Sequence, residues 1–410
     1  MKLWLKILIA LVLGVATGLI LGPYSEYLKP VGQLFLSLIN MIIVLLVLSS
    51  MTVGITSIHD PQKLSRVGLK TLFLYLVTTV IAIGIGISFA YLFQLGAGLG
   101  LIPTQALEVH ERTPSISEML FSLIPSNPVA SLAEGNIMQV IVFSLFLGLA
   151  INFAGPRGKP LLSVLESLAD VMYRLTAIVM EFSPFGVFAL MAWVSGSFGM
   201  SVLIPLFKFL VIYYLACFVH MGAVFCSMLK FLARVSPWPF FRGMGDAIMM
   251  AFSTCSSSAT LPVSLHCAQA NLGISKNISN FVLPLGSTIN MNGAALYQGM
   301  SAVFIAQGYG IELSYPALLV IVVTATFSAI GAAGIPGTGF IMLSVVLSSV
   351  GIPIEGLALL AGIDRVREMI STVLNILGDA VCAIYVAKQE GEFDERRYYH
   401  EELVAYKPEF

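Results

Sequence analysis

Charge is what this chain has least of: of its 410 residues only 10% are Asp, Glu, Lys or Arg, while 58% are hydrophobic, and its mean hydropathy is +0.92. Soluble domains carry about 25% charged residues, so the soluble class is excluded. Several apolar runs of about 20 residues place the chain among polytopic membrane proteins. Its 21 Lys and Arg against 22 Asp and Glu give a net charge of -1 with no Lys/Arg-rich run, which excludes a nucleic-acid surface. Five cysteines, Cys217, Cys226, Cys255, Cys267 and Cys382, lie in or beside apolar segments without metal-type spacing. They are expected as buried thiols, not disulfides or ligands. The stretch near 5–21 follows Lys2 and Lys6 as a signal peptide would, but no small-residue cleavage site closes it, so an uncleaved first helix is expected.

Apolar segments fall near 5–21, 33–57, 71–96, 134–154, 164–195, 201–228, 244–268, 278–306, 316–350 and 356–387. Basic residues gather in every second connection: Lys2 and Lys6, then Lys63, Arg66 and Lys70, then Arg157 and Lys159, then Lys230, Arg234 and Arg242. The positive-inside rule puts these connections, and both termini, in the cytoplasm. Arg242 and Lys276 flank the 244–268 segment, so both its ends face the cytoplasm and it is expected to be re-entrant, turning at the hydroxyl-rich stretch 253–260. The 325–350 segment has the same form from the other side. It turns within 331–339, where glycines permit unusual backbone angles and Pro336 forbids a continuous helix. The expected fold is an all-α polytopic membrane protein with eight transmembrane helices and two opposed re-entrant helical hairpins. Such a pair has the form of an inverted repeat with its site at the midplane.

Two segments carry the chemistry. Asn290-Met291-Asn292-Gly293-Ala294 puts two carboxamides and a glycine into an apolar span. Non-helical backbone at membrane depth is tolerated only where protein or a cavity satisfies its N–H and C=O groups, and such breaks mark ion and solute sites. The alternative is a kinked packing helix with Asn as interhelical glue. The last apolar segment carries Asp364, Arg365, Arg367, Glu368 and Asp379, each costing roughly 2.5–3.5 kcal/mol if unpaired in hydrocarbon. Glu368, Thr372, Asn375 and Asp379 follow helical spacing and form one inward polar stripe bordered by Ser371. An ion pair between Asp364 and Arg367, at i and i+3, is expected, whereas Asp379 has no basic residue within a turn. His266 with Ser257 invites a hydrolase reading, but no third member or nucleophile elbow is present. His220 is expected as a hydrogen-bonded packing residue, and Glu181 and Asp246 as semi-buried, paired acids.

The stretches Asn290-Met291-Asn292-Gly293-Ala294-Ala295-Leu296-Tyr297-Gln298, Ser256-Ser257-Ser258-Ala259-Thr260-Leu261-Pro262, Gly334-Ile335-Pro336-Gly337 and Asn375-Ile376-Leu377-Gly378-Asp379 resemble, in order, the signatures of the glutamate transporter family. These are the dicarboxylate/amino acid:cation symporters. The resemblance spans nearly the whole chain, and it implies a homotrimer in membrane lipid whose protomers work by an elevator mechanism. Implied scaffold parts are 1–64 (helices 1 and 2) and 98–198 (helices 4 and 5 with an extracellular loop). Implied moving parts are 65–97 (helix 3), 199–235 (helix 6) and the core 236–390 (hairpin 1, helix 7, hairpin 2, helix 8), with 391–410 a cytoplasmic tail. No cofactor is implied; sodium is the implied coupling ion.

The resemblance also implies ligand sets. One sodium would lie at Gly286, Asn290, Asn375 and Asp379, a second at Thr288 and the backbone of the second tip, and a third among Tyr75, Thr78, Thr79, Asn290 and Asn292. The substrate would meet Ser256, Ser257 and Ser258, then Ile335, Pro336 and Gly337, and then Ala294, Glu368, Ser371, Thr372 and Asn375. Three departures matter, because acidic amino-acid carriers have Asp, Thr and Arg where this chain has Asn292, Ala294 and Ser371. Serine cannot replace a bidentate guanidinium. Glu368 stands where amino-acid carriers place an aspartate for the substrate amine, and Cys255 stands where archaeal members have an arginine. The expectation is a secondary active symporter that favours a neutral amino acid and couples to sodium with fewer ions than the acidic carriers. Arg365 or Arg367 restoring the missing charge keeps an acidic substrate open. A proton-coupled or sodium-independent carrier of amino acids or dicarboxylates is the alternative, and an ion channel is the competing class.

Overall fold

The computed structural model describes residues 3–56, 67–101, 124–331, 334, 336–400 and 403–406. Lys2, Lys63, Arg66 and Ile335 lie outside them. Fourteen helices of ten or more residues occur among the described residues: α1 (Leu3–Leu21), α2 (Lys29–Thr56), α3 (Leu69–Leu92), α4 (Ile137–Ala154), α5 (Lys159–Glu181), α6 (Ser183–Phe198), α7 (Met200–His220), α8 (Gly245–Thr254), α9 (Ser257–His266), α10 (Lys276–Ile289), α11 (Asn292–Gly308), α12 (Tyr315–Gly331), α13 (Thr338–Ser349) and α14 (Asp364–Glu390). Their only β pairing is an isolated bridge between Ile274 and Phe393. Four stretches are long and apolar enough to cross a bilayer: Ile9–Phe35, Leu69–Leu92, Leu203–Leu232 and Asp364–Glu390.

The run 164–195, expected as one span, is two helices. Pro184 lies in the first turn of α6, where its missing N–H costs nothing; continued into α5, the same ring would clash with the preceding turn. The predicted break at 290–294 is shorter than expected, because only Asn290 (φ -101°, ψ 66°) and Met291 (φ -92°, ψ 59°) leave the helical region and α11 resumes at Asn292.

α1 lies on α6, and α2 against α4, α5 and α6. Gly14 and Gly18, four residues apart, let α1 approach the α6 backbone at Phe188 and Ala192 so closely that neither glycine has room for a Cβ. α11 packs on α3, while α14 is surrounded by α8, α10 and α11. That enclosure answers the cost of charge in α14, since 89% of its most apolar window is buried in protein.

Two helical hairpins form, α8 with α9 and α12 with α13. The first turns at Cys255, in left-handed backbone (φ 54°); in the second, Gly337 (φ 89°) starts α13. α10 begins five residues after Asn271, close to the open end of the first hairpin, and α11 ends seven residues before the second hairpin begins. Since both turns meet near the α10–α11 break, the hairpins approach it from its two sides. The C-terminal segment ties the open end of the first hairpin together. Tyr398 Oη donates to the Ser236 carbonyl (2.7 Å), the Tyr406 N–H to Asp246 Oδ2 (3.0 Å) and the Val404 N–H to Asn271 Oδ1 (2.9 Å), and His266 Nε2 contacts the Val404 carbonyl (3.0 Å).

Candidate functional site

The two hairpin turns are bonded to one another. Ser256, in extended backbone, caps α9 by accepting from the Ala259 N–H (3.1 Å), and its hydroxyl donates to the Gly334 carbonyl (2.6 Å). The Ser258 N–H donates to the same carbonyl (3.1 Å), although the Ser258 side chain is exposed. A Cβ on Gly334 would stand 2.5 Å from Ser258 Oγ and 2.8 Å from the Ser287 carbonyl, so only glycine permits this approach. The second turn is also held to α14, because the Gly337 N–H donates to Glu368 Oε1 (2.6 Å).

Below the turns α14 presents two i,i+3 ion pairs. Arg367 pairs with Asp364, as expected, and Arg365 Nη1 with Glu368 Oε2 at 3.0 Å, which was not expected. Two acids and two bases sum to zero charge. Arg367 is 1% exposed, its Cζ over the Tyr297 ring at 3.9 Å from the centroid. Of these four, Arg367 and Glu368 line a cavity of about 20 Å³, room for about one water. Its lining includes six residues picked out by the sequence, Ser257, Ala294, Glu368, Ser371, Thr372 and Asn375. Cys255 and Arg367 line it too, as do Met291, Thr338 and Gly339, which sequence reasoning did not select. Ser256, Gly334 and Gly337 hold the turns closed, and Pro336 is half-buried beside Gly337.

The broken helix gathers oxygen atoms beneath the cavity. Asn290 Nδ2 donates to Asp379 Oδ1 (2.9 Å), and Gly286 is glycine because a Cβ there would overlap the Asp379 carboxylate. Asn375 Oδ1 accepts from the Gly293 N–H (2.7 Å) freed by the break. On α3, Thr78 Oγ1 lies 3.1 Å from the Tyr75 carbonyl and 3.3 Å from Asn290 Oδ1, and Thr79 Oγ1 donates to Asn292 Oδ1 (3.1 Å). Asn292 Nδ2 is buried without a partner. Hydroxyls, carbonyls and one carboxylate are the donors a hard cation takes, so the set fits sodium, with Asp379 its one full negative charge. Thr288 is half-buried and bonds its own helix at Leu285 (3.0 Å), while the neighbouring Ser287 carbonyl lies close to Gly334.

Other expectations resolve differently. His266 bonds the C-terminal segment, far from a catalytic role with Ser257. His220 is buried, and neither ring nitrogen has a hydrogen-bond partner among the described residues; it packs edge-on against Phe225 at 4.9 Å. Glu181 and Asp246 are exposed, not semi-buried, because each sits at a helix end facing outward. The cysteines are free thiols, four buried and Cys226 half-buried.

Residues 3–389 match the sodium:dicarboxylate symporter family. The chain belongs to that family. Among its relatives are the proton/glutamate-aspartate symporter of Escherichia coli (strain K12), 36% identical over 411 residues that cover 96% of this chain and 94% of the relative. The proton/sodium-glutamate symport protein of Bacillus caldotenax is 34% identical over 403 residues, 96% of this chain and 95% of that one. The C4-dicarboxylate transport protein of Rhodospirillum rubrum is 34% identical over 406 residues, 96% and 90% of the two chains. The chain is therefore an integral membrane symporter of small molecules and not an enzyme, and the bonded hairpin turns and broken helix are parts of a symporter.

Proposed function

We propose that this symporter carries a neutral amino acid, coupled to sodium. The observation that carries the reading is that the cavity's one arginine, Arg367, and its one acid, Glu368, are each already paired, with Asp364 and Arg365, and Ser371 stands where acidic amino-acid carriers have a free guanidinium. A zwitterion keeps that balance, with its amine toward Glu368 and its carboxylate toward the serine turn. Asp379 supplies the carboxylate of a sodium site, while Asn292 offers only an amide dipole to a further ion, so fewer ions accompany each substrate. The packing of α14 with α8, α10 and α11 supports 236–390 as one body, which on the family resemblance moves with 65–97 and 199–235 as an elevator against 1–64 and 98–198, in a homotrimer with both termini cytoplasmic.

A second reading is a proton-coupled carrier of acidic amino acids or dicarboxylates. The names of the Escherichia coli and Rhodospirillum rubrum relatives favour it, as does Glu368, a buried carboxylate able to exchange a proton for its arginine. Thermal shift of the purified protein in sodium and in choline, with serine, alanine, aspartate and succinate, separates the two. The proposal expects sodium-dependent stabilisation by serine or alanine; far stronger stabilisation by aspartate or succinate overturns it.

A further inference from the structure

One cavity-lining cation has more hydrogen-bonding capacity than its surroundings use. Asp364 is the one hydrogen-bond partner of the Arg367 guanidinium among the described residues, and Arg367 Nε is buried with none. A guanidinium carries five N–H donors, and a buried donor left unmade is costly. The group is buried, with the Tyr297 ring centroid 3.9 Å from its Cζ and Asp364 paired with its Nη2, so the side chain cannot swing out to find other partners. Beside it the protein is small: a Cβ placed on Gly339 would stand 3.4 Å from the Ala294 Cβ and 3.6 Å from Arg367 Nη1. Atom-sized room therefore separates the guanidinium from Ala294, within the cavity that the serine turn and Glu368 line from other sides.

We propose that Arg367 is the specificity-determining residue of this pocket, selecting substrates that carry an uncharged hydrogen-bond acceptor, a hydroxyl or carboxamide oxygen, on the side chain. The inference rests on the reading that this cavity receives an amino acid. An acceptor oxygen there takes the idle N–H donors without disturbing the Asp364 pair. A purely apolar side chain leaves them unmet, and a carboxylate meets a cation that Asp364 has already neutralised.

The test compares apparent affinities for serine, asparagine, alanine and aspartate in sodium, by competition of uptake into proteoliposomes and by thermal shift. Wild-type protein is expected to prefer serine and asparagine over alanine by about ten- to a hundredfold, the range for a hydrogen bond to a charged group. Arg367→Met strands Asp364 unpaired in the interior, so Asp364→Asn/Arg367→Met, which removes both charges, accompanies it. Arg367→Lys keeps the ion pair but loses the planar donors. Each of the three is expected to collapse the serine-to-alanine and asparagine-to-alanine ratios toward one. Wild-type protein that binds neutral amino acids with ratios unmoved in every folded variant overturns the assignment of Arg367 alone. Wild-type protein that binds aspartate best overturns the neutral-substrate reading, and the uncharged acceptor with it.

Discussion

Placing an arginine at Ser371 tests the charge arithmetic of the pocket. Ser371 lies one turn after Arg367 on α14, and its Cα and Oγ crowd Gly293 so closely that a longer side chain must point away from α11, toward the cavity. Side chains four apart on a helix lie about 5–6 Å from one another. At an effective dielectric of about 20, two bare like charges at that distance repel by roughly 3 kcal/mol, and Asp364, already paired with Arg367, offsets part of that. Ser371→Arg alone therefore gives a substrate-free protein less stable than wild type, with three cations against two anions. A substrate carboxylate between the two guanidinia relieves the repulsion and adds charge-assisted hydrogen bonds of about 1.5–3 kcal/mol each. Aspartate affinity is expected to rise by roughly tens- to a thousandfold, more so with Ala294→Thr, while serine affinity falls. Thermal shift with and without aspartate reads both effects. A substrate-free variant as stable as wild type and indifferent to aspartate would show that the substrate side chain does not lie between these positions.

Gly334→Ala should part the hairpin turns, because the added methyl falls on Ser258 and the Ser287 carbonyl; losing two hydrogen bonds at about 0.5–1.5 kcal/mol each weakens closure, read as faster hydrogen exchange at 256–260, and unchanged exchange refutes it. Asp379→Asn should abolish sodium-dependent stabilisation, whereas Thr79→Val, which removes the hydroxyl bonded to Asn292, should leave the sodium midpoint within about twofold; a large shift with Thr79→Val would mean that the site at Asn292 holds an ion. Truncation after Gly391 removes the bonds from Tyr398, Val404 and Tyr406 to the first hairpin and should speed exchange at the open ends of α8 and α9; protection equal to wild type would show the strap to be energetically idle.

What the sequence revealed follows from how local each signal is. The helix break was visible because two carboxamides and a glycine interrupt an apolar run, and the stripe from Glu368 to Asp379 because its helical spacing is visible without any partner. The Asp364–Arg367 pair was legible for the same reason. The Arg365–Glu368 pair has the same i,i+3 spacing and belongs to the same network of paired charges. The boundary between α5 and α6 was marked by Pro184, which hydropathy alone does not register. Arg367 over Tyr297, and the C-terminal segment bonded to the first hairpin, join residues dozens to more than a hundred positions apart. No local pattern encodes such contacts.

Coupling is the central claim, and uptake into proteoliposomes tests it most directly. Radiolabelled serine and alanine would be supplied under an inward sodium gradient, an inward proton gradient, and neither. Accumulation driven by the sodium gradient alone, with binding lost in choline, is the predicted result. Accumulation that follows the proton gradient and ignores sodium, with binding equal in sodium and choline, would contradict it and leave Asp379 a structural acid.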